Sequence, residues 1–129
     1  MLHITRIMIS AFNIEDVDFM GYSVDKATAN YHHLIIPRRN GGAKTINNGA
    51  ILNKDTSHPY LHIVESKDYD MFYNITKQMM IENKLGKLDI DCFKKINDIL
   101  TQFEHEHSAD INFLNEPLIK EEYTKRLYK

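Results

Sequence analysis

The sequence predicts an α+β fold in a single domain, residues 1–129. A chain of 129 residues is the length of one ordinary domain, long enough to bury a core. An aromatic and β-branched run at 29–36 and a short apolar run at 49–52 predict strands. Beyond residue 66, apolar residues recur at helical spacing. We therefore expect a strand–loop–strand–helix centre at 29–66, a helical pair at 67–107 and a C-terminal tail at 108–129.

The first 28 residues predict little regular structure. LHITRIMISAF alternates weakly, which is compatible with a strand, and Gly21 marks a bend in VDFMGYSVDK. MLHITRIMIS lacks the basic start, long apolar stretch and cleavage site of a signal peptide. No apolar run approaches the length of a membrane helix. We expect a cytoplasmic protein with no membrane partner.

The centre of the domain contains four of the seven histidines. The strand predicted at 29–36 carries His32 and His33 and ends before Pro37. RRNGGAK follows as a loop, and GAIL at 49–52 is the second strand. A helix then begins near a cap supplied by Asp55, Thr56 or Ser57, with Pro59 in its first turn. His58 and His62 are one turn apart on this helix, so they share a face.

Two amphipathic helices follow. The first begins at a capping Ser66 or Asp68 and ends at Gly86. The apolar stripe of each helix is predicted to lie in the hydrophobic core. The two stripes comprise Phe72, Ile75, Met79 and Met80, then Cys92, Ile96, Ile99, Leu100 and Phe103. His105 and His107 lie at a polar helix end and His3 has no local partner, so these three are set aside.

Charge and cysteine content narrow the function. The net charge is −2, which does not indicate a protein with a wholly basic surface. A local excess of cations at 31–62 fits either a phosphodiester substrate or a solvated loop, and it comprises Arg38, Arg39, Lys44 and Lys54 against Asp55. The single cysteine, Cys92, excludes an internal disulfide and a cysteine-built zinc site. Its place on an apolar stripe predicts a buried thiol.

The histidine spacing predicts a metal site beside a proton carrier. Adjacent strand residues point to opposite faces, so His32 and His33 cannot share a role. The pair His58 and His62 directs two imidazoles to one point, a common way to hold a transition metal. Three nitrogens plus water is the open coordination of a catalytic site.

The segments YHHLIIPRRNGG, NNGAIL and SHPYLH resemble, in order and spacing, the motif of the HNH endonucleases with the ββα-metal fold. The three-histidine pattern is most similar to the nuclease domains of bacterial colicins. The resemblance covers about a quarter of the chain and implies a metal-dependent endonuclease that hydrolyses DNA. It also implies one divalent ion, with Zn, Ni, Mn or Mg as the candidates.

The resemblance implies a role for each motif residue. His33 corresponds to the general base that activates water, and Asn48 to the residue that braces the loop and the base. The metal ligands correspond to His32, His58 and His62. Contacts to DNA phosphates are expected from the cations Arg38, Arg39 and Lys44.

The sequence departs from the family pattern at two points, and other interpretations stay open. The cysteine pairs that hold a structural zinc in many relatives are absent, with Asn53 and Ser57 in that region, and one extra residue precedes His58. Each element alone also has a plain structural interpretation. The fold could serve a catalytically silent phage or mobile-element protein that binds DNA, a nuclease or a host defence protein. A structural zinc module of four histidines is disfavoured by the opposed His32 and His33, and a homodimer stays open.

Overall fold

The computed structural model describes residues 3–34 and 44–107 and belongs to the α+β class, as predicted. Its elements are, in chain order, α1 (His3–Ala11), β1 (Ala29–His33), a 3₁₀ turn (Ile46–Asn48), β2 (Gly49–Asn53), α2 (Ser57–Lys67), α3 (Tyr69–Leu85) and α4 (Ile90–Glu106). The predictions for Pro37, Arg38, Arg39, the double glycine and the tail fall outside the described residues. Among the helices in those two ranges, none combines the length and the apolar character needed to cross a bilayer.

The N-terminal segment is a helix, so the strand suggested by its weak alternation is wrong. Thr5, Met8 and Phe12 are buried, at the spacing of three and four residues that places side chains on one helical face. Phe12 lies against Phe19, with ring centroids 5.0 Å apart. The β-branched residues of α1 favour strands locally, but burial of this face against the rest of the domain determines the structure.

A tight hairpin joins α1 to the sheet. Val17 bridges Ser23, and Gly21 at the bend has a φ of +88°, which confirms the predicted turn. The backbone N–H of Phe19 donates to the carbonyl of Ile51 at 3.0 Å, so the hairpin is attached directly to β2.

The two strands are antiparallel, with His33 opposite Gly49 and His32 opposite Ala50. All five residues of β2 are buried, because other elements cover both of its faces. A Cβ added at Gly49 would lie 2.1 Å from Cε2 of Tyr31, so only glycine lets the tyrosine ring lie across this strand end. The predicted second strand is confirmed, while the first is shorter than predicted and ends at His33, with Leu34 in a bend.

The helix α3 begins and ends at its predicted signals, and α2 begins at one of its predicted cap residues. Asp68 caps α3 by accepting from the N–H of Met71, and Gly86 ends that helix with a φ of +74°. Thr56 occupies the N-cap position of α2 without a side-chain capping bond. The helices pack α2 on α3 and α3 on α4. Their fully buried side chains include Tyr60, Leu61, Ile75, Met79, Ile96 and Phe103.

Candidate metal centre

Three imidazoles from two elements converge on one point. His32 Nδ1 on β1 lies 3.2 Å from His58 Nε2 on α2, and His58 Nε2 lies 3.1 Å from His62 Nε2. One ring nitrogen from each of the three residues falls within 4.8 Å of the others. The helical spacing of His58 and His62 and the strand position of His32 produce this convergence, as the sequence predicts.

A carboxylate orients the outermost imidazole. Glu65, one turn further along α2, lies 3.2 Å from His62 Nδ1. An N–H at Nδ1 can donate to this carboxylate, and the lone pair of Nε2 then points at His58. This carboxylate–histidine arrangement is the usual support of a metal-ligating imidazole. Glu65 was not among the residues predicted from the sequence, although its spacing of three residues from His62 on a helix is a detectable signal.

The donor set fits a divalent ion better than it fits hydrogen bonding alone. If the proton of His62 lies on Nδ1 and is donated to Glu65, then His58 Nε2 faces His32 Nδ1 on one side and His62 Nε2 on the other. One proton on His58 Nε2 can form a hydrogen bond with only one of these two nitrogens. Two nitrogens bound tetrahedrally to zinc are about 3.3 Å apart at bond lengths of roughly 2.0–2.1 Å. The observed 3.1 and 3.2 Å are close to that separation.

Burial keeps two of the imidazoles neutral. Desolvation, followed by the neighbouring imidazoles, lowers the pKa of His32 to about 3. Desolvation and then His62 lower the pKa of His58 to about 4. A metal ligand must offer an unprotonated nitrogen, so both residues are in the ligating form at neutral pH.

His33 lies on the opposite face of β1 and does not join the cluster. Its ring meets that of Tyr31 edge-on, with centroids 5.0 Å apart, as expected for alternate residues of a strand. In the described part of the chain, the buried Nε2 of His33 has no hydrogen-bond partner. The separation of His33 from the other three histidines argues against a module in which all four hold one ion.

The 3₁₀ turn beside His33 is clamped from two directions. The Tyr31 hydroxyl accepts from the N–H of Thr45 at 3.0 Å and donates to the carbonyl of Thr45 at 2.9 Å. From α3, the amide of Asn83 donates to the carbonyls of Ile46 and Gly49 at 2.6 and 2.7 Å. Nothing in the local sequence around Asn83 signals this clamp.

Asn48 is buried at the junction of this turn and β2. Its backbone carbonyl accepts from the N–H of Leu34 at 2.8 Å, which ties the residue to the chain immediately after His33. This backbone contact lies beside the expected base, and the bracing role of Asn48 stays a prediction.

A buried carboxylate secures the start of α2. Asp18 Oδ2 accepts from the N–H of Asn53 at 2.9 Å and from the hydroxyl of Ser57, the residue before His58. Its Oδ1 accepts from the N–H groups of Met20 and Tyr22 at 2.9 and 3.0 Å. Desolvation raises the pKa of Asp18 to about 6, against the opposing effect of these hydrogen bonds. Asp18 thus connects the hairpin, β2 and α2, a role that no pattern in the sequence predicts.

The remaining candidates lie elsewhere. Lys44 is exposed. His107 stacks on Phe103 with ring centroids 4.7 Å apart. Together with Asp68 and Glu106 it forms a second, partly exposed group of potential metal ligands. In that group Asp68 already caps α3. Cys92 is buried as predicted, and desolvation raises the pKa of its thiol to about 12, which makes it a poor nucleophile.

Comparison of the chain with protein families, with curated proteins and with solved structures found no match. The site offers the chemistry of its own residues. These are three convergent imidazoles, a supporting carboxylate, and a separate imidazole on the other face of β1.

Proposed function

We propose that this protein is a metal-dependent endonuclease of the HNH type that hydrolyses phosphodiester bonds of DNA, with residues 29–66 as its ββα-metal centre. The observation that carries the proposal is the convergence of His32, His58 and His62 from a strand and the following helix. The order β1, 3₁₀ turn, β2, α2 agrees with the motif that the sequence resembles.

His32 Nδ1, His58 Nε2 and His62 Nε2 would hold the divalent ion. Three imidazoles favour Zn, Ni or Mn in vitro, while Mg stays available in the cell. When bound, the ion supplies Lewis-acid stabilisation of charge on the phosphate and on the departing oxygen. Glu65 supports this set by fixing the tautomer of His62.

His33 is the proposed general base. An imidazole can take a proton from an attacking water, which contributes roughly 100- to 10,000-fold to the rate. The absence of a hydrogen-bond partner for its Nε2 among the described residues leaves that nitrogen able to accept a proton. Its burial requires that substrate binding admit water, and catalytic contacts often form only in the substrate complex.

The phosphate contacts belong to the cationic side chains near the turn. Lys44 is exposed two residues before the 3₁₀ turn that borders His33, within reach of a strand lying there. Arg38 and Arg39 are proposed as clamps because a guanidinium matches phosphate oxygens two at a time. Asn48 holds the chain after His33 through its carbonyl and so positions the base.

A second candidate is a catalytically silent protein that keeps the metal and binds DNA or another protein. The buried Nε2 of His33 favours this alternative, because a covered nitrogen takes no proton from bulk water. The two functions differ in one measurable property, which is cleavage in the presence of metal.

The test combines plasmid nicking with metal binding. We expect cleavage that depends on an added divalent ion and a loss of about 100- to 10,000-fold in His33→Ala, with the metal still bound. His62→Ala should lose both metal and cleavage. His107→Ala is the matched control, since it removes an imidazole from the other donor group of the described residues and should change neither.

Metal binding without cleavage by the wild-type protein would favour the silent alternative. Equal loss of metal from His33→Ala and His62→Ala would overturn the division of roles.

A further inference from the structure

A groove of about 610 Å³ lies between the end of β1, the 3₁₀ turn and α3. Leu34, Met80 and Ile81 form an apolar floor, and Lys77 and Lys84 stand at its exposed rim. The groove is separate from the imidazole cluster, because none of the three histidines lines it.

The groove meets the proposed catalytic face at one end. Leu34 directly follows His33, and Asn47, which also lines the groove, directly precedes Asn48. The amide of Asn83 fixes this end by holding the carbonyls of Ile46 and Gly49. A ligand in the groove would therefore extend toward the turn beside His33.

The rim of the groove carries positive charge. In the described residues, neither Lys77 nor Lys84 forms an ion pair with a carboxylate. The two lysines are seven residues apart, about 10 Å along one face of α3. Lys77 Nζ lies 5.1 Å from the ring centroid of Tyr73, whose ring is half exposed and extends the apolar surface one turn further.

We propose that this groove binds an unpaired nucleotide of a single strand, with its base on the apolar floor and its phosphates at Lys77 and Lys84. Duplex DNA offers phosphates to the lysines, but its stacked and paired bases cannot enter an apolar groove. Single-strand sites combine cations along the backbone with apolar or aromatic surfaces for the bases, and this groove has both. The step from binding to cutting rests on the proposed nuclease function, and it implies substrates with unpaired bases next to the cleaved bond.

The test is anisotropy of a labelled oligothymidylate with the full chain in EDTA, where cleavage cannot occur. We expect tighter binding of the single strand than of a duplex of matched length. Lys77→Ala with Lys84→Ala should weaken single-strand binding roughly tenfold or more and reduce the salt slope by about 1.4, because each phosphate contact on a single strand contributes about 0.7. Lys94→Ala with Lys95→Ala is the control, since these exposed lysines of α4 do not line the groove.

A third variant separates the floor from the charge. Ile81→Ser, at an exposed position, should reduce the preference for single strands and leave duplex binding unchanged. The arginine pair Lys77→Arg with Lys84→Arg should retain binding.

Equal binding of single strand and duplex, or equal losses in the two lysine pairs, would overturn the proposal. Failure of the oligonucleotide to bind while an acidic helical peptide occupies the groove would assign it to a protein partner and also overturn the proposal. Because the binding assay contains no metal, intact binding without nicking refutes only the nuclease function. Nicking that survives loss of groove binding refutes only this inference.

Discussion

Replacement of Asp18 tests whether a buried carboxylate organises the start of α2. Asp18 accepts four hydrogen bonds, two at each oxygen, and it is fully buried. In Asp18→Ala, the backbone donors of the hairpin and of Asn53 lose this acceptor, as does the Ser57 hydroxyl. Each buried donor left unsatisfied costs roughly 1–3 kcal/mol, and partial relaxation brings the expected total to roughly 3–5 kcal/mol.

Asp18→Asn should be milder and should depend on pH. The new amide can donate to Ser57, while the N–H of Asn53 keeps the Ser57 oxygen, which lies 2.9 Å away. One bond is thus lost, at about 1–3 kcal/mol. The wild-type carboxyl, however, has its pKa raised from 3.8 to about 6, so its ionisation in the folded state opposes folding by about 3 kcal/mol.

The sign of the pH effect follows from that shift. Between pH 3.8 and about 6 the folded wild-type protein retains a proton that the unfolded chain releases. The contribution of Asp18 to stability is therefore complete below this window and is lost as the pH rises through it. Asp18→Asn does not titrate, so the stability advantage of the wild type should shrink by about 3 kcal/mol between acidic and neutral pH.

Urea denaturation of the metal-free protein, followed by circular dichroism at about pH 4 and about pH 8, measures this difference. Asp25→Asn is the matched control, because Asp25 accepts from the N–H groups of Ala27 and Thr28 in a similar turn but is exposed. A wild-type advantage over Asp18→Asn that is independent of pH would refute the titration argument. An Asp18→Ala variant as stable as the Asp25 control would refute the structural one.

Three other perturbations test parts of the site. Gly49→Ala should destabilise the fold by about 1–3 kcal/mol in urea denaturation, since the ring of Tyr31, which lies across the strand, must move. The neighbouring Ala50→Gly adds no atom and so introduces no such clash. Glu65→Ala should weaken metal binding about 10- to 100-fold in calorimetry with little change in stability; unchanged affinity would contradict the supporting role. The metal-free protein should lose stability as the pH falls below about 6.5, because the pKa values of His32 and His58 are lowered to about 3 and 4 and only the unfolded chain gains those protons. In the control, His32→Ala with His58→Ala, this loss should disappear and leave the opposite trend that Asp18 produces.

The predictable part of the site is the part that local spacing determines. His58 and His62 share a face because a helix places every fourth residue there, and Pro59 fits the first turn of that helix. The separation of His32 from His33 follows from the alternation of a strand. Geometry within one element was therefore sufficient to pair His58 with His62 and to separate His32 from His33, whereas the joining of His32 to the helical pair was implied by the family resemblance.

The features that could not be predicted depend on contacts between distant segments. Asp18 bonds Asn53 and Ser57 across 35 and 39 residues, and Asn83 reaches Gly49 across 34, so neither pairing has a local pattern. The helix α1 was misjudged for the same reason, because burial of Met8 in the assembled core outweighs the strand preference of its β-branched residues.

The Asp18 network lies next to the candidate metal centre. Many members of the family that the motif resembles have structural-zinc cysteines in the region of Asn53 and Ser57. Here both residues bond to Asp18, and the amide of Asn53 also donates to the carbonyl of Ser23 at 2.8 Å. A carboxylate with four donors joins hairpin, strand and helix, at the cost of burying an ionisable group. Because Ser57 precedes His58, the same network positions the first turn of α2, which carries His58. The geometry of the imidazole cluster therefore depends on the N-terminal hairpin.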